Sequence, residues 1–272
     1  MNNTLLITLG CSWTYGVGAG YRETMEEDGY NKNIRWDPNL CWENGWRKQV
    51  VDYFNIDHLN FAVGGSSNDR QFRHARDFFS SNTWNRLLKS DRKIVVLWGT
   101  TSVSRKYFWC NDVQGYRNIF LVTDEIKVKS LKQIFAMKGG KEYEDKITVA
   151  YTKWSYNYQE ELKELERNIK FWNNYFETIN IKNFWFDTFE SHQYKNMPTN
   201  MLGHSNRGRR DMLHVICKNH DKNYDKKISN DFVFGYAVDE KLLNPYSFHP
   251  TKNSYKCIGN YMINQLKGEL DN

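Results

Sequence analysis

The sequence predicts a three-layer α/β/α fold with a central parallel sheet. Three observations predict it. Four short β-rich runs occur at Leu5 to Leu9, His58 to Ala62, Ile94 to Trp98 and Asn183 to Asp187. Most are continuously apolar, as strands covered on both faces must be. Stretches of helical periodicity lie between them, and strands alternating with helices imply βαβ crossovers.

The first run leaves Met1-Asn2-Asn3-Thr4 directly, and the glycine of Gly10-Cys11-Ser12 ends it. Trp42, Trp46, Val50 and Tyr53 then fall on one helical face. A helix over Asn68 to Phe79 follows the second strand. The clearest amphipathic pattern places Tyr158, Leu162, Leu165, Ile169, Trp172, Phe176 and Ile179 at spacings of three and four. A last helix carrying Ile258, Met262 and Leu266 begins after Pro250-Thr251. Two stretches break the rhythm. From about 105 to 156, alternating pieces (Ile126-Lys127-Val128 and Ile147 to Ala150) flank Gly139-Gly140 and predict a hairpin-like insertion. From about 191 to 243 the chain is polar, with Arg207, Arg209 and Arg210 followed by Lys218, Lys222, Lys226 and Lys227, which predicts a second insertion. The expected organisation is one domain over 1–272, with both insertions leaving the ligand-binding edge of the sheet.

Composition narrows the function classes. At 272 residues, with 40% hydrophobic and 26% charged side chains, the chain suits a globular core and not a disordered one. The net charge of +6 is spread among acidic residues, so no nucleic-acid partner is expected. Cys11, Cys41, Cys110, Cys217 and Cys257 show no CxxC spacing and are expected as free thiols without a metal or disulfide framework. No apolar run reaches membrane-spanning length, and Leu5 to Leu9 is too short for a secretory signal, so the expected location is cytoplasmic, without a membrane partner. The aromatic surplus (10 Trp, 17 Tyr, 16 Phe) either packs loops onto the core or offers rings for ligand stacking.

Chemistry concentrates in four blocks. Gly10-Cys11-Ser12-Trp13-Thr14-Tyr15-Gly16 puts a serine at the carboxyl end of the first strand, where open α/β sheets bind ligands. Asn60-Phe61-Ala62-Val63-Gly64-Gly65 follows the second strand, Leu97-Trp98-Gly99-Thr100-Thr101 ends the third, and His249-Pro250 precedes the last helix. In order and context these blocks resemble the SGNH/GDSL hydrolases, a flavodoxin-like α/β/α family. Cys11 stands where that family has the Asp of its GDS motif, Thr101 where it has an oxyanion Asn, and Tyr246 and Ser247 where it has the Asp of its Asp-x-x-His turn. The resemblance implies Ser12 as nucleophile, His249 as its base, and an oxyanion hole from the N–H groups of Ser12 and Gly65 with the Thr101 hydroxyl. Ser247, Asp239 or a backbone carbonyl then has to orient His249, and Asn68 and Trp13 are the candidate substrate contacts.

That set implies a serine esterase without a cofactor or metal. Aromatic rings favour a small-molecule or polysaccharide ester, with deacetylation of a sugar as the expected reaction. The Gly-Cys-Ser and Gly-x-Ser-Asn blocks also resemble hydrolases of bacteriophages, a setting in which the chain acts on host polysaccharide and is associated with the virion. The oligomeric state is left open. Alternative readings run beside these. The replaced Asn and Asp suit an inactive SGNH-type fold serving as a glycan-binding or virion structural module. Alone, Ser12 reads as a turn serine, Asn68 as a helix cap, and Cys11 as a small buried neighbour. His192, His204, His214 and His220 fit no compact ligand spacing and read as loop residues. Gly16, Gly18 and Gly20 lack the last glycine of a dinucleotide loop, since Tyr21 follows.

Overall fold

Alternation of side chains along three strands sets the architecture. In the computed structural model, which describes residues 3–110, 115–120, 156–203, 211–224 and 233–270, β1 (Thr4–Leu9), β2 (Asp57–Asn60), β3 (Lys93–Thr100) and β6 (Lys182–Asp187) form one sheet in the order β2-β1-β3-β6. Every pairing in it is parallel, with Leu5 opposite Asp57 and Ile94, and Trp98 opposite Trp185. Leu5, Ile7, Leu9, Ile94, Val96, Trp98 and Trp185 point to one face; Leu6, Val95, Leu97 and Phe186 point to the other. The three-layer α/β/α expectation and its four strands are present, with β2 ending at Asn60, two residues short of the expected Ala62.

Helices cover both faces. On the first face lie α4 (Asn68–Phe79), α5 (Asn82–Leu88) and α6 (Tyr158–Thr178), which bury Phe72, Phe79, Trp84, Leu165, Trp172 and Phe176. The second face receives α3 (Trp46–Phe54), α7 (Met212–His220), α8 (Val233–Asp239) and α9 (Lys252–Leu266). Helix starts are locally encoded: Ser67 caps α4, Asn157 caps α6 and Asp211 caps α7, each side chain accepting a hydrogen bond from a first-turn N–H. α1 (Ser12–Tyr15) is a single turn, and α2 (Pro38–Glu43) starts at Asp37-Pro38.

Several expectations change. Trp42 and Val50 do not share one helix, because Asn44-Gly45 separates α2 from α3, and Tyr53 is 55% exposed. The antiparallel pair in the first insertion is β4 (Arg105–Cys110) with β5 (Gly115–Phe120), earlier than the Gly139-Gly140 turn, which lies outside the described residues. The second insertion contains α7 and α8, whose Met212, Leu213, Ile216, Val233 and Ala237 enter the core; local polarity hid these apolar positions. Rings pack on both faces of the sheet; on the first, Trp98 stacks on Trp185 at 4.7 Å and Phe79 touches Trp84 and Trp172. Cys11, Cys41, Cys217 and Cys257 are free thiols. Among the described residues no helix is long and apolar enough to cross a membrane, and no cluster of His, Cys, Asp and Glu is arranged to hold a metal.

Candidate active site

The order β2-β1-β3 creates a crevice. The connection after β1 runs outward to β2 and the later chain runs the other way from β3, so the carboxyl ends of β1 and β3 flank a topological switch point, where such sheets bind ligands. Gly10 and Gly99 line it because α1 lies across both strands. A Cβ on Gly10 would stand 2.0 Å from Thr14 Oγ1, and one on Gly99 2.4 Å from the same atom. Ser12 opens α1 just beyond β1, 3% exposed, and its hydroxyl makes no hydrogen bond among the described residues.

Gly65, in the loop after β2, has a left-handed conformation (φ 69°), and the direction its Cβ would take is empty for 4 Å. Thr101 follows β3 at 1% exposure, and its Oγ1 is buried without a hydrogen-bond partner. Asn68 fixes Thr101: its Nδ2 donates to the Thr101 carbonyl at 2.7 Å, and its Oδ1 accepts from the Thr101 N–H at 2.9 Å. Asn68 is therefore neither the cap, which is Ser67, nor a free substrate contact; both ends of its amide hold the backbone that carries Thr101. Trp13 also departs from the substrate-contact expectation, since it is 4% exposed and packs in the core against Phe189 at 5.7 Å.

His249 arrives from the other end of the chain. A Cβ on Gly18 (φ 91°) would stand 2.7 Å from His249 Cβ, so only glycine lets the histidine loop seat there. The loop is closed by the Asn244 N–H donating to the His249 carbonyl and the Phe248 N–H donating to the Asn244 carbonyl, each at 2.8 Å. Phe248 has a left-handed φ of 55°, a strained position directly ahead of the histidine. Burial first, then the Arg35 and Arg105 cations, push the His249 pKa down to about 3, while the Ser247 backbone acts in the opposite sense. Its Nδ1 is buried without a hydrogen-bond partner, and among the described residues no hydrogen bond joins the ring to Ser12. The Ser247 hydroxyl bonds Tyr30 Oη at 2.8 Å, and Asp239 is exposed at the end of α8, so neither side chain holds the ring in place.

The end of β6 and the segment after it contribute residues that sequence reasoning missed. The Asp187 carboxyl is buried and accepts from Thr100 Oγ1 at 2.6 Å, from Tyr194 Oη at 2.9 Å and from the His192 N–H at 3.1 Å. Burial raises its pKa despite the opposing influence of His192 and these hydrogen bonds. His192, read as a loop residue, is 4% exposed, and its Nε2 lies 3.0 Å from the Thr101 carbonyl. Thr188 Oγ1 lies 3.8 Å from Cys11 Sγ, which ties this segment to the Ser12 turn. Arg105, over Phe189 at 4.6 Å, is lowered to about 10 by burial against the opposing influence of Cys11 and Glu190. Trp36 stands 47% exposed against Gly64, whose Cβ would fall 1.9 Å from the indole, with Arg35 5.2 Å over the ring. A composition rule could not single out Trp36 among ten tryptophans.

Compared with known proteins, the sequence matches no family model and no curated protein. Solved structures align over nearly its whole length. A member of the lipolytic protein G-D-S-L family from Veillonella parvula is 12% identical, with 97% of this chain and 98% of that chain covered at a TM-score of 0.39. The psychrotrophic esterase EstA of Pseudoalteromonas is 12% identical over 100% of both chains at 0.38. An acetyl xylan esterase from the rumen bacterium Butyrivibrio proteoclasticus is 14% identical, with 99% of this chain and 65% of that chain covered at 0.42. The fold rests on the parallel order β2-β1-β3-β6 and its registers, not on these alignments.

Proposed function

We propose that the chain is an acyl hydrolase of SGNH type that cleaves an ester through Ser12. The observation that carries the reading is the Ser12 hydroxyl just beyond β1, without a hydrogen bond among the described residues, with Thr101 and its unpartnered hydroxyl just beyond the neighbouring strand β3. In the proposed reaction Ser12 Oγ attacks the acyl carbonyl as His249 takes its proton. The N–H groups of Ser12 and Gly65 and the Thr101 hydroxyl hold the developing oxyanion, and His249 then protonates the departing alcohol. Water releases the acyl group from Ser12 by the reverse sequence. His249 is neutral at physiological pH, the protonation state a base needs.

The substrate in this reading is an acetylated or similarly esterified sugar, supported by the half-exposed Trp36 against Gly64, whose ring suits a sugar face. The bacteriophage setting belongs to the same proposal, with the resemblance of the first two blocks as its support. Hydrolysis of 4-nitrophenyl acetate and of acetylated oligosaccharides by wild type and by Ser12→Ala tests the reading. Turnover lost in the variant upholds it; equal background rates with both proteins folded overturn it.

A second reading is a non-catalytic glycan-binding module. It is favoured by His249, which has no carboxylate partner among the described residues and whose lowered pKa makes it a weak base. Binding of unesterified oligosaccharide without turnover of the acetylated form would select it.

A further inference from the structure

We propose that a second cleft, on the far side of α1 at the β2 edge of the sheet, binds a small organic anion through Arg47. The cleft has a volume of about 460 Å³ and is walled by Tyr15, Trp42, Arg47, Val51, His58 and Asn60, among others. The proposal does not depend on ester hydrolysis.

Arg47 carries the inference because of what it lacks. It is 4% exposed, and its one hydrogen bond runs from Nη2 to the Tyr15 carbonyl at 2.7 Å. Nε is buried without a partner, which leaves Nη1 as the free donor that a ligand in the cleft can meet. Rings flank the guanidinium, with Tyr15 and Trp42 each 5.5 Å from its carbon. Among the described residues no carboxylate pairs with it; Asp57, on the cleft wall, is bound to Arg92. Burial pulls its pKa down to about 10, so the side chain still carries its charge at neutral pH. A buried cation without a counterion is costly, and an anion that enters the cleft removes that cost.

The rest of the wall makes the site selective for an organic anion. Thr8 Oγ1 donates to Asn60 Oδ1 at 3.0 Å, so the 2.9 Å contact between Thr8 Oγ1 and His58 Nε2 needs the proton on the histidine nitrogen. That fixes the His58 tautomer and leaves Nδ1 as an acceptor for a ligand hydroxyl. Trp42 stacks on His58 at 5.3 Å and 11°, holding the imidazole in place. Val51, Ile56 and Pro38 supply the apolar side. Carboxylate or phosphate on a small hydroxylated body matches this pattern of one cation, one acceptor and an apolar wall.

Thermal unfolding and calorimetric titration with glucuronate, glucose 6-phosphate and inorganic phosphate, with glucose as neutral control, test the site in the full chain. At ten times its Kd, a binding anion raises Tm by about 3–6 °C, and glucose does not. Glucuronate alone acting assigns carboxylate; glucose 6-phosphate acting assigns phosphate; inorganic phosphate alone acting overturns the organic ligand. Arg47→Met abolishes the response, and an undiminished rise in that variant overturns the proposal. Should the variant not fold, the Arg47 Nε–H resonance of the wild-type protein decides: it shifts at saturation if the site is real. If it stays unmoved, the proposal fails.

Discussion

The aromatic layer under one face of the sheet and the carboxyl edge of the same sheet differ in how many buried polar atoms they leave unpaired. In the layer, Phe72, Phe79, Trp84, Trp98, Trp172, Phe176 and Trp185 pack ring against ring; Trp84 Nε1 finds Tyr175 Oη at 2.8 Å, and Trp98 Nε1 alone among these rings is buried without a partner. At the edge, Thr14, Thr101, His192, Asn244 and His249 each bury a polar atom without a partner. Buried polar atoms are ordinarily satisfied because each orphan costs about 1–3 kcal/mol. Among the described residues, five such orphans fall in the segments that carry Ser12, Thr101 and His249 or that pack against them, whereas the ring layer holds one.

The largest expected effect breaks the edge alone. Ser12→Ala should lower ester turnover by about 10³-fold or more while Tm holds, since the hydroxyl makes no hydrogen bond to lose. A Tm loss comparable to a core mutation would mean that Ser12 is structural. Trp98→Ala should do the converse: a loss of about 3–5 kcal/mol in chemical denaturation from the cavity left among Trp172, Trp185 and Phe72, with kcat per folded molecule retained. Thr101→Val sharpens the contrast. If Thr101 donates to the oxyanion, kcat falls by about 10²-fold with stability unchanged or raised, because the hydroxyl is already unpaired. A destabilised variant with unchanged kcat would remove Thr101 from the hole.

The smallest effect is a pH dependence of stability. Burial, with nearby cations, holds both His58 and His249 at about 3, below their ordinary 6.5. Between those values the unfolded chain binds protons that the native chain does not, so stability is full above about pH 6.5 and declines as pH falls toward 3. Melting curves at pH 7.5, 6 and 4.5 should show Tm falling stepwise, and a flat series would contradict the burial of these rings. With His249 as base, kcat/KM should stay level from pH 7 to 5, unlike that of an enzyme whose histidine titrates near 6.5.

Sheet and helices were legible because their signals are local. Ile94 to Trp98 is apolar on both faces, and Leu162, Leu165, Ile169, Trp172 and Phe176 repeat at helical spacing and are all buried. The blocks around Ser12, Gly65, Thr101 and His249 were legible as residue types in order. What they touch was not. Asn68 gives its amide to a backbone 33 residues away, and Asp187 meets Thr100 across 87, pairings that no window of sequence contains. Tyr53 misled because a helical face can be apolar and still face solvent beyond the edge of a core. Met212 to Cys217 misled in reverse: flanking lysines and arginines masked a helix that supplies buried apolar side chains to the second face.

The seating of the histidine loop has a consequence in time. Tyr255 Oη donates to the Val17 carbonyl at 2.9 Å, and Gln49 Nε2 donates to the Tyr255 carbonyl at 3.2 Å, so α9 locks onto residues synthesised more than 200 positions before it. A nascent chain therefore presents the serine loop long before the histidine exists to sit over Gly18. The candidate centre cannot assemble before the chain has been extended to His249.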